Sequence, residues 1–262
     1  MSLHTSLGKA EDHRVLVRGR DLTGELLGQV TYTDMVALML LGRFPGRDER
    51  RMLDALLIAL IEHGLVKPVV AARFVYSNAP ESLQAAVAAS LLGAGSKHLG
   101  SSEWCARVLQ EQLTHDTAEG KIDAAARRIV DDHARRRSRV PGIGHRTHAR
   151  GDPRAERLFE IASETGTYGR HCRLLTRVAE LAGERRGRPL PVNVTGAIAA
   201  IASDMGFRWE ITRGFALIAR TLGALAHIQE EMDAPLSDRL IGQIRETVDY
   251  TGGPPAEEPP AG

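Results

Sequence analysis

The 262-residue chain is 43% hydrophobic and 26% charged, which is enough apolar sequence for a buried core beneath a charged surface. Its 34 Lys and Arg nearly balance its 33 Asp and Glu, so the net charge of +1 provides no overall field that would draw it to nucleic acid or to a membrane. Two cysteines exclude a disulfide framework and favour a cytoplasmic protein, and no segment predicts a signal peptide or a membrane span.

The hydrophobic pattern predicts a mostly α fold. A short strand is expected at 14–19, where apolar and polar residues alternate. Beyond it, apolar residues recur at helical spacing, with Thr, Asp or Ser at or near the start of the early segments and Gly near their ends. The predicted helices cover 32–44, 48–66, 81–95, 102–116, 121–137, 153–166, 170–187, 195–207 and 211–232. The Pro- and Gly-rich tail 251–262 is predicted to be disordered.

The segment VPGIGHRTHARGDPRA, residues 140–155, is the strongest local indication of a binding site. Its glycines allow the amides of Gly142, Ile143 and Gly144 to approach a ligand closely, and Arg154 suits a carboxylate or a phosphate. Taken alone, the segment is equally well interpreted as a connecting loop with solvated charges, because short glycine motifs have low specificity.

Several motifs, in order along the chain, resemble the citrate synthase superfamily, and especially the citryl-CoA lyase module at the C-terminal end of ATP-citrate lyases. The resemblance extends from Arg18 to about Glu231. It includes the nine-residue step from His145 to Arg154 within the family's Gly-x-Gly-His-Arg to Asp-Pro-Arg-Ala loop. The other matching segments are VRGRDLTGELLGQVTYTDMVALMLLGRFP, IEHGLVKPVVAAR, GAGSKHLGSSE and ALIARTLGALAHIQEE.

The resemblance implies the citrate synthase architecture. A large helical domain would comprise 1–98 and 192–250, and a small helical domain, 99–191, would close over the ligand. The resemblance also implies a two-fold homodimer, with helices of the large domain packed across the axis.

The family makes or breaks a carbon–carbon bond between an acetyl-CoA enol and a ketoacid carbonyl. Such chemistry needs a base for the methyl carbon, donors for the enolate oxygen and a partner for the alcohol or ketone oxygen. By resemblance, His98 would donate to the enolate oxygen and His145 would serve the alcohol or ketone oxygen. The carboxylates of the substrate would be held by His63, Arg154 and Arg220, and the amides of Gly142, Ile143 and Gly144 would receive coenzyme A.

Each of these residues also has a purely structural interpretation. His63 could cap or decorate the C-terminal end of a helix, and His98 could be an ordinary turn residue. Arg220 lies between apolar residues and could pair with a core carboxylate such as Glu230 or Asp204.

Other histidines and arginines have less specific patterns. His145 and His148 do not predict a metal site, because no third ligand follows at a suitable spacing. His227 is interpreted as a packing residue on an apolar helix. The basic runs at 135–139 and 184–188 could bind the phosphates of coenzyme A or form solvated faces.

The chain departs from the family at Thr195. Asn193-Val194-Thr195 matches an N-glycosylation acceptor, but a cytoplasmic protein would not be glycosylated there. The family has an Asp at this position, the base that removes the methyl proton, and a hydroxyl cannot replace a carboxylate base near neutral pH. Thr195 is predicted to cap the following helix. Asp204 is too far along that helix to substitute simply, whereas Glu103 is conceivable.

The sequence therefore favours a citryl-CoA lyase-like enzyme that cleaves citryl-CoA, or a related 3-hydroxy-3-carboxyacyl-CoA, to acetyl-CoA and oxaloacetate. A citrate synthase-type condensation is the nearest alternative. A non-catalytic paralogue that binds coenzyme A or carboxylates is a third, and Thr195 favours it. The partners implied are small acyl-CoA and carboxylate molecules, with neither nucleic acid nor membrane.

Overall fold

The computed structural model describes residues 3–95, 100–113, 119–144 and 151–253. A small antiparallel sheet comes first, in the order β1 (Gly8–Ala10), β2 (Val15–Val17) and β3 (Arg20–Asp21), with Leu16 opposite both Lys9 and Asp21. A short π-helical turn, Leu22–Leu26, leads into the helices. The predicted strand at 14–19 is therefore confirmed, as is the mostly α fold.

Eleven α-helices follow in the described residues, and they provide nearly all of the regular structure. Their bounds are α1 Tyr32–Leu41, α2 Arg47–Ile58, α3 Lys67–Asn78, α4 Leu83–Leu92, α5 Ser101–Gln112, α6 Ile122–Arg135, α7 Pro153–Glu164, α8 Arg170–Arg186, α9 Val194–Asp204, α10 Thr212–Asp233 and α11 Ser237–Thr247. Short 3₁₀ turns at Glu119–Lys121 and Trp209–Ile211 precede α6 and α10.

All nine predicted helices are present, and two further helices, α3 and α11, were not predicted from periodicity. The helix predicted over 48–66 is too long, because α2 ends at Ile58. The carboxylate of Glu62 accepts the backbone N–H groups of His63 and Gly64, and Gly64 has φ +72°, so the chain turns there. Pro68 then lies in the first turn of α3, where proline is compatible with a new helix but not with continuation of an old one.

The chain divides into two compact units, and the first comprises 1–64 and 94–222. Helix α9 is its centre, because apolar and small residues surround the helix on all sides and α5, α7 and α8 pack against it. Alanines and isoleucines of α9, from Ala197 to Ala202, are fully buried. Their small size allows the neighbouring helices to approach closely.

The second unit comprises 65–93 and 223–262, of which residues up to 253 are described. Arg73 of α3 is only 2% exposed, and its Nη1 lies 2.9 Å from the Glu231 carboxylate of α10. A second ion pair joins Arg73 to Glu230, and Arg73 Nη2 lies 3.0 Å from His227 Nδ1. Glu231 also accepts the backbone N–H and the hydroxyl of Ser237, at 2.9 and 2.6 Å, so one buried carboxylate links three helices.

His227 was predicted to be a packing residue, and it is half-buried against this ion pair. The predicted division into a large domain, 1–98 and 192–250, and a small domain, 99–191, stays a prediction. Most of the predicted disordered tail, 254–262, lies outside the described residues.

The buried carboxylate of Glu231 provides a test of the second unit. Burial alone would raise the pKa of Glu231, but hydrogen bonds from Ser237, Arg73 and Leu236 outweigh it and lower the pKa to about 2. A lowered pKa stabilises the fold above the unfolded pKa of about 4.3, and this stability is lost as pH falls toward 2. We expect Glu231→Gln to reduce the free energy of unfolding by about 3 kcal/mol at pH 7.

The measurement is urea unfolding of both proteins at pH 7 and at pH 3, where the difference between them should shrink. Glu246→Gln, at an exposed position of α11, is the matched control and should change stability by less than about 0.5 kcal/mol. A Glu231→Gln protein as stable as its parent at pH 7 would contradict the stabilising role of the buried Glu231 carboxylate.

Candidate functional site: an arginine-lined cavity

A cavity of about 860 Å³ opens within the first unit and collects most of the predicted site residues. Its floor is the N-terminus of α9, and its walls come from α5, α6, α7, α8, α10 and the segment 188–191. The predicted residues that line it are His63, Ile143, Gly144, Arg154, Thr195 and Arg220. Residues distant in the sequence are therefore brought to one cavity, as the resemblance implied.

Asn193 is the N-cap of α9, and this corrects the prediction that Thr195 has that role. The Asn193 Oδ1 accepts the backbone N–H of Gly196 at 3.1 Å, and its own φ and ψ are extended. Thr195 is the second helical residue, and its hydroxyl donates to Asn193 Oδ1 at 2.7 Å. It also accepts a hydrogen bond from the Ser101 hydroxyl at 2.8 Å. Ser101, Thr195 and Asn193 therefore form a chain of neutral hydrogen-bonded groups at the N-terminus of α9.

The loop 142–144 is pinned to the segment that precedes α9. The amide of Gly144 donates to Pro191 O at 2.7 Å, and the amide of Asn193 donates to Gly142 O at 3.0 Å. The side-chain amide of Asn193 donates to Gly144 O at 2.9 Å. Gly142 does not line the cavity but lies behind it, with φ +85°. A Cβ there would be 2.9 Å from Gly196 Cα, so the two backbones touch only because both residues are glycine.

Asp152 organises the site, and sequence reasoning did not single it out. It is 1% exposed and caps α7, accepting the Arg154 backbone N–H at 3.2 Å. It also accepts Arg154 Nε and Nη2, both at 3.1 Å, and the backbone N–H of Val194 at 2.9 Å. Burial raises the pKa of Asp152, but these hydrogen bonds outweigh it and hold the pKa below its usual value. The Asp-Pro-Arg-Ala motif, with Asp before a helical Pro, was the available signal.

Arg220 of α10 has the most unusual environment in the cavity. It is 7% exposed, and its Nε and Nη1 atoms have no hydrogen-bond partner among the described residues. Burial lowers the pKa of Arg220, the charge of Glu62 opposes this effect, and the charge of Arg154 adds to it. A buried guanidinium with unused donors is suited to an anionic ligand, because a carboxylate accepts two N–H groups in one plane.

The structural alternatives for Arg220 are not supported. Asp204 caps α8 instead, accepting the amides of Gly169, His171 and Cys172 at 2.8, 2.8 and 3.0 Å. Glu230 is paired with Arg73 in the second unit.

Two further predicted residues have clear positions. Glu103 is not poised as a base, because its carboxylate lies 2.8 Å from Arg213 Nε. His63 is not in a helix but in the exposed connection between α2 and α3, from which it reaches the cavity. Its exposure agrees with the alternative interpretation of His63 as a surface histidine.

Both basic runs contribute to the cavity. Arg139 follows α6, while Arg185 and Arg186 end α8 and Arg188 follows it. These four arginines are exposed, in contrast to Arg220, so they form an outer, hydrated group of cations. Half-buried His133 of α6 lies on the same wall.

Three predicted residues cannot be placed. His98, His145 and His148 lie outside the described residues, so their predicted roles stay predictions. Across the described ranges, no group of three or more His, Cys, Asp or Glu could hold a metal ion. The same ranges contain no helix that is long and apolar enough to cross a membrane.

Fold and site together define a mostly helical protein whose cavity has a cationic inner end and a cationic mouth. A family model described as "Citrate synthase, C-terminal domain" matches residues 11–242, and the chain belongs to the citrate synthase family. Citrate synthase 2 of Bacillus subtilis (strain 168) is 27% identical over 214 residues, which are 80% of this chain and 53% of that protein. The chain thus spans about half the length of the curated relatives that it matches.

Solved structures extend the comparison. Citryl-CoA lyase from Hydrogenobacter thermophilus matches with a TM-score of 0.86 and 37% identity, covering 98% of this chain and 97% of that one. Methanosaeta concilii ATP citrate lyase (D541A mutant), in complex with (3S)-citryl-CoA, matches with a TM-score of 0.72. That match covers 98% of this chain and 42% of the other at 19% identity, and it shows the fold alone.

The contact between Gly142 and Gly196 predicts a sharp sensitivity to one methyl group. In Gly196→Ala the new Cβ would lie 2.8 Å from Gly142 C and Cα, so the loop must move. We expect a loss of about 1–3 kcal/mol in the free energy of unfolding, measured by urea titration. Gly242→Ala in α11 meets open space and should instead stabilise the protein by about 0.5–1 kcal/mol. Equal stability of both variants and the parent would rule out the close approach.

The buried carboxylate of Asp152 leads to a second prediction of reduced stability. Asp152→Asn removes the charge that faces Arg154 and leaves one amide N–H group where only acceptors are needed. We expect a loss of about 2–4 kcal/mol in urea unfolding at pH 7. Asp12→Asn, at an exposed position near the N-terminus, is the control and should be neutral. An Asp152→Asn protein that matches this control would refute the role of Asp152.

Proposed function

We propose that this protein is a carbon–carbon lyase that cleaves citryl-CoA, or a related 3-hydroxy-3-carboxyacyl-CoA, to acetyl-CoA and oxaloacetate. The observation that carries the proposal is the match along nearly the whole of both chains to a citryl-CoA lyase structure, at 37% identity. The curated citrate synthases match over only about half of their length. Citrate synthase-type condensation through the same intermediates is the second candidate.

The cations of the cavity support a substrate with charge at both ends. Buried Arg220, with its unused donors, and Arg154, fixed by Asp152, are the candidates for the carboxylates of a citryl group. His63 would contribute a further donor there. The phosphates of coenzyme A would be held by the exposed outer group, Arg139, Arg185, Arg186 and Arg188, because hydrated arginines suit phosphates that stay in contact with water.

The backbone between Gly142 and Gly144 is proposed to receive the thioester end of coenzyme A. Ile143 and Gly144 line the cavity, and hydrogen bonds of Gly142 and Gly144 with Pro191 and Asn193 hold this backbone. Because this backbone is already fixed, it loses little conformational entropy when a ligand binds, which favours its use for positioning the thioester.

In cleavage, the alcohol proton leaves, the carbon–carbon bond breaks, and its electron pair becomes the enolate of the acyl thioester. We assign removal of the alcohol proton to His145 and stabilisation of the enolate oxygen to His98, as the resemblance implies. The enolate carbon must then gain a proton. In this chain the nearest group by family position is the Thr195 hydroxyl, which is neutral and hydrogen-bonded to Ser101 and Asn193.

Thr195 also supports a third candidate, a non-catalytic protein that binds acyl-CoA and carboxylates in the same cavity. Loss of the carboxylate is expected to slow proton transfer by about two to four orders of magnitude while binding is retained. Cytoplasmic location, a homodimer and closure of a small domain, 99–191, belong to the same proposal.

The first experiment is an assay of purified protein for acetyl-CoA release from citryl-CoA, with calorimetric titration of coenzyme A beside it. We expect turnover that His145→Ala abolishes and that His13→Ala, an exposed histidine near the N-terminus, leaves unchanged. Saturable binding of coenzyme A without turnover of citryl-CoA would exclude the lyase and favour the binding protein.

Thr195→Asp tests the missing base within the same assay. An aspartate in the first turn of α9 is compatible with the helix dipole, so the variant should fold. We expect cleavage of citryl-CoA to rise by at least about tenfold if proton transfer limits the rate. A fall in rate would show that another group transfers the proton or that the natural substrate is different.

A further inference from the structure

The charges that line the cavity are all of one sign. Its described lining residues include six arginines and neither an aspartate nor a glutamate; the arginines are Arg139, Arg154, Arg185, Arg186, Arg188 and Arg220. The stretches 96–99 and 145–150, which precede Ser101 and follow Gly144 in the chain, also contain no acidic residue in their sequence. No carboxylate that could act as a base is therefore provided by the described lining residues or by these two stretches.

Three acidic residues interact with the lining arginines: Asp131, which forms an ion pair with Arg185 at 2.7 Å, Asp152 and Glu62. Both carboxylate oxygens of Asp152 accept hydrogen bonds from Arg154, and one also accepts from Val194. Glu62 accepts the amides of His63 and Gly64. None of these three carboxylates lines the cavity.

Ser101 and Thr195 provide two neutral hydroxyl groups at the N-terminus of α9. Ser101 Oγ donates to Thr195 Oγ1 at 2.8 Å, and Thr195 Oγ1 donates to Asn193 Oδ1 at 2.7 Å. Hydroxyl hydrogens rotate, so Ser101 can turn its donor to a ligand while Thr195 remains bonded to Asn193. These groups cannot remove a proton from a thioester methyl group, but they can donate to an anion at the N-terminus of α9.

Arg220 is a second feature of this cavity that is suited to an anion. It is 7% exposed, lines the same cavity as Thr195, and leaves Nε and Nη1 without partners among the described residues. Arg154, by contrast, is largely satisfied by Asp152. Arg220 therefore offers guanidinium donors to a carboxylate in the same cavity as the hydroxyls of Ser101 and Thr195.

We propose that the site also accepts a 2-carboxyacyl thioester of coenzyme A and generates its enolate by loss of carbon dioxide rather than by removal of a proton. This inference rests on the proposed function, since it uses the same thioester enolate and the same ketoacid. It explains how a site with Thr195 in place of a base can still form the nucleophile for a carbon–carbon bond.

The step balances without an oxidant or reductant. The bond between the α-carbon and its carboxylate breaks, carbon dioxide leaves, and the electron pair of that bond forms the thioester enolate. The enolate carbon then bonds to the carbonyl carbon of the ketoacid, and the resulting alkoxide takes up one proton. For malonyl-CoA and oxaloacetate the products are citryl-CoA and carbon dioxide.

A neutral residue at 195 is required for this chemistry. An aspartate there would face the carboxylate of the substrate, and two like charges in a confined site repel each other. The hydroxyls of Ser101 and Thr195 can orient that carboxylate without an ion pair that decarboxylation would have to break. The same substitution that impairs use of an acetyl thioester thus favours a carboxylated one.

The experiment uses malonyl-CoA labelled with ¹⁴C in its free carboxylate, incubated with purified protein and oxaloacetate. We expect release of labelled carbon dioxide that depends on oxaloacetate, with citryl-CoA, or the acetyl-CoA that its cleavage yields, detected by mass spectrometry. Thr195→Asp should lower this release at least tenfold, whereas Thr195→Ser, which keeps a neutral hydroxyl, should stay within threefold of the parent. Thr195→Asp should in the same preparation process citryl-CoA at least as fast as the parent, which shows that it is folded.

The outcomes separate the two proposals. Turnover of citryl-CoA without release of carbon dioxide from malonyl-CoA overturns the decarboxylation and leaves the lyase intact. Release that is equal in Thr195→Asp and Thr195→Ser overturns the role of the neutral residue. Release of carbon dioxide without turnover of citryl-CoA supports the decarboxylation and excludes the proposed lyase activity.

Discussion

The buried carboxylate of Asp152 is the interaction on which the site depends. A carboxylate that is 1% exposed must be hydrogen-bonded, and its partners come from both α7 and α9. It caps α7, orients the guanidinium of Arg154 and holds the first amide of α9 at Val194. Because one group satisfies all these donors, neither helix can shift without leaving a buried charge unpaired.

The second constraint is the contact of two backbones at Gly142 and Gly196. No side chain fits between them, so the loop 142–144 lies directly on the first turn of α9. Asn193 completes the junction, since its side chain caps α9 and also donates to Gly144 O. At this junction the cavity is thus built from backbone and short polar groups, and arginines line it elsewhere among the described residues.

This arrangement explains why the replacement at position 195 is structurally silent. The cap of α9 belongs to Asn193, and the hydroxyl of Thr195 joins a hydrogen-bonded chain that begins at Ser101. Neither the helix nor the cavity requires a carboxylate there. The consequence is chemical: this end of the cavity offers hydroxyls and no carboxylate among the described lining residues.

The sequence by itself determined nine of the eleven described α-helices, because apolar residues at a spacing of three and four are a local property. It also identified the family through ordered motifs. It did not predict α3 and α11, since Pro68 and β-branched residues weaken the pattern of α3, and α11 has few buried residues. Only the tertiary structure decided the hydrogen-bond partners of the buried charged residues. Asp204 caps α8, Asp152 joins α7 to α9, and two N–H groups of Arg220 have no partner among the described residues. Such pairings depend on which side chains meet across the core, and periodicity contains no information about contacts between residues so distant in the chain.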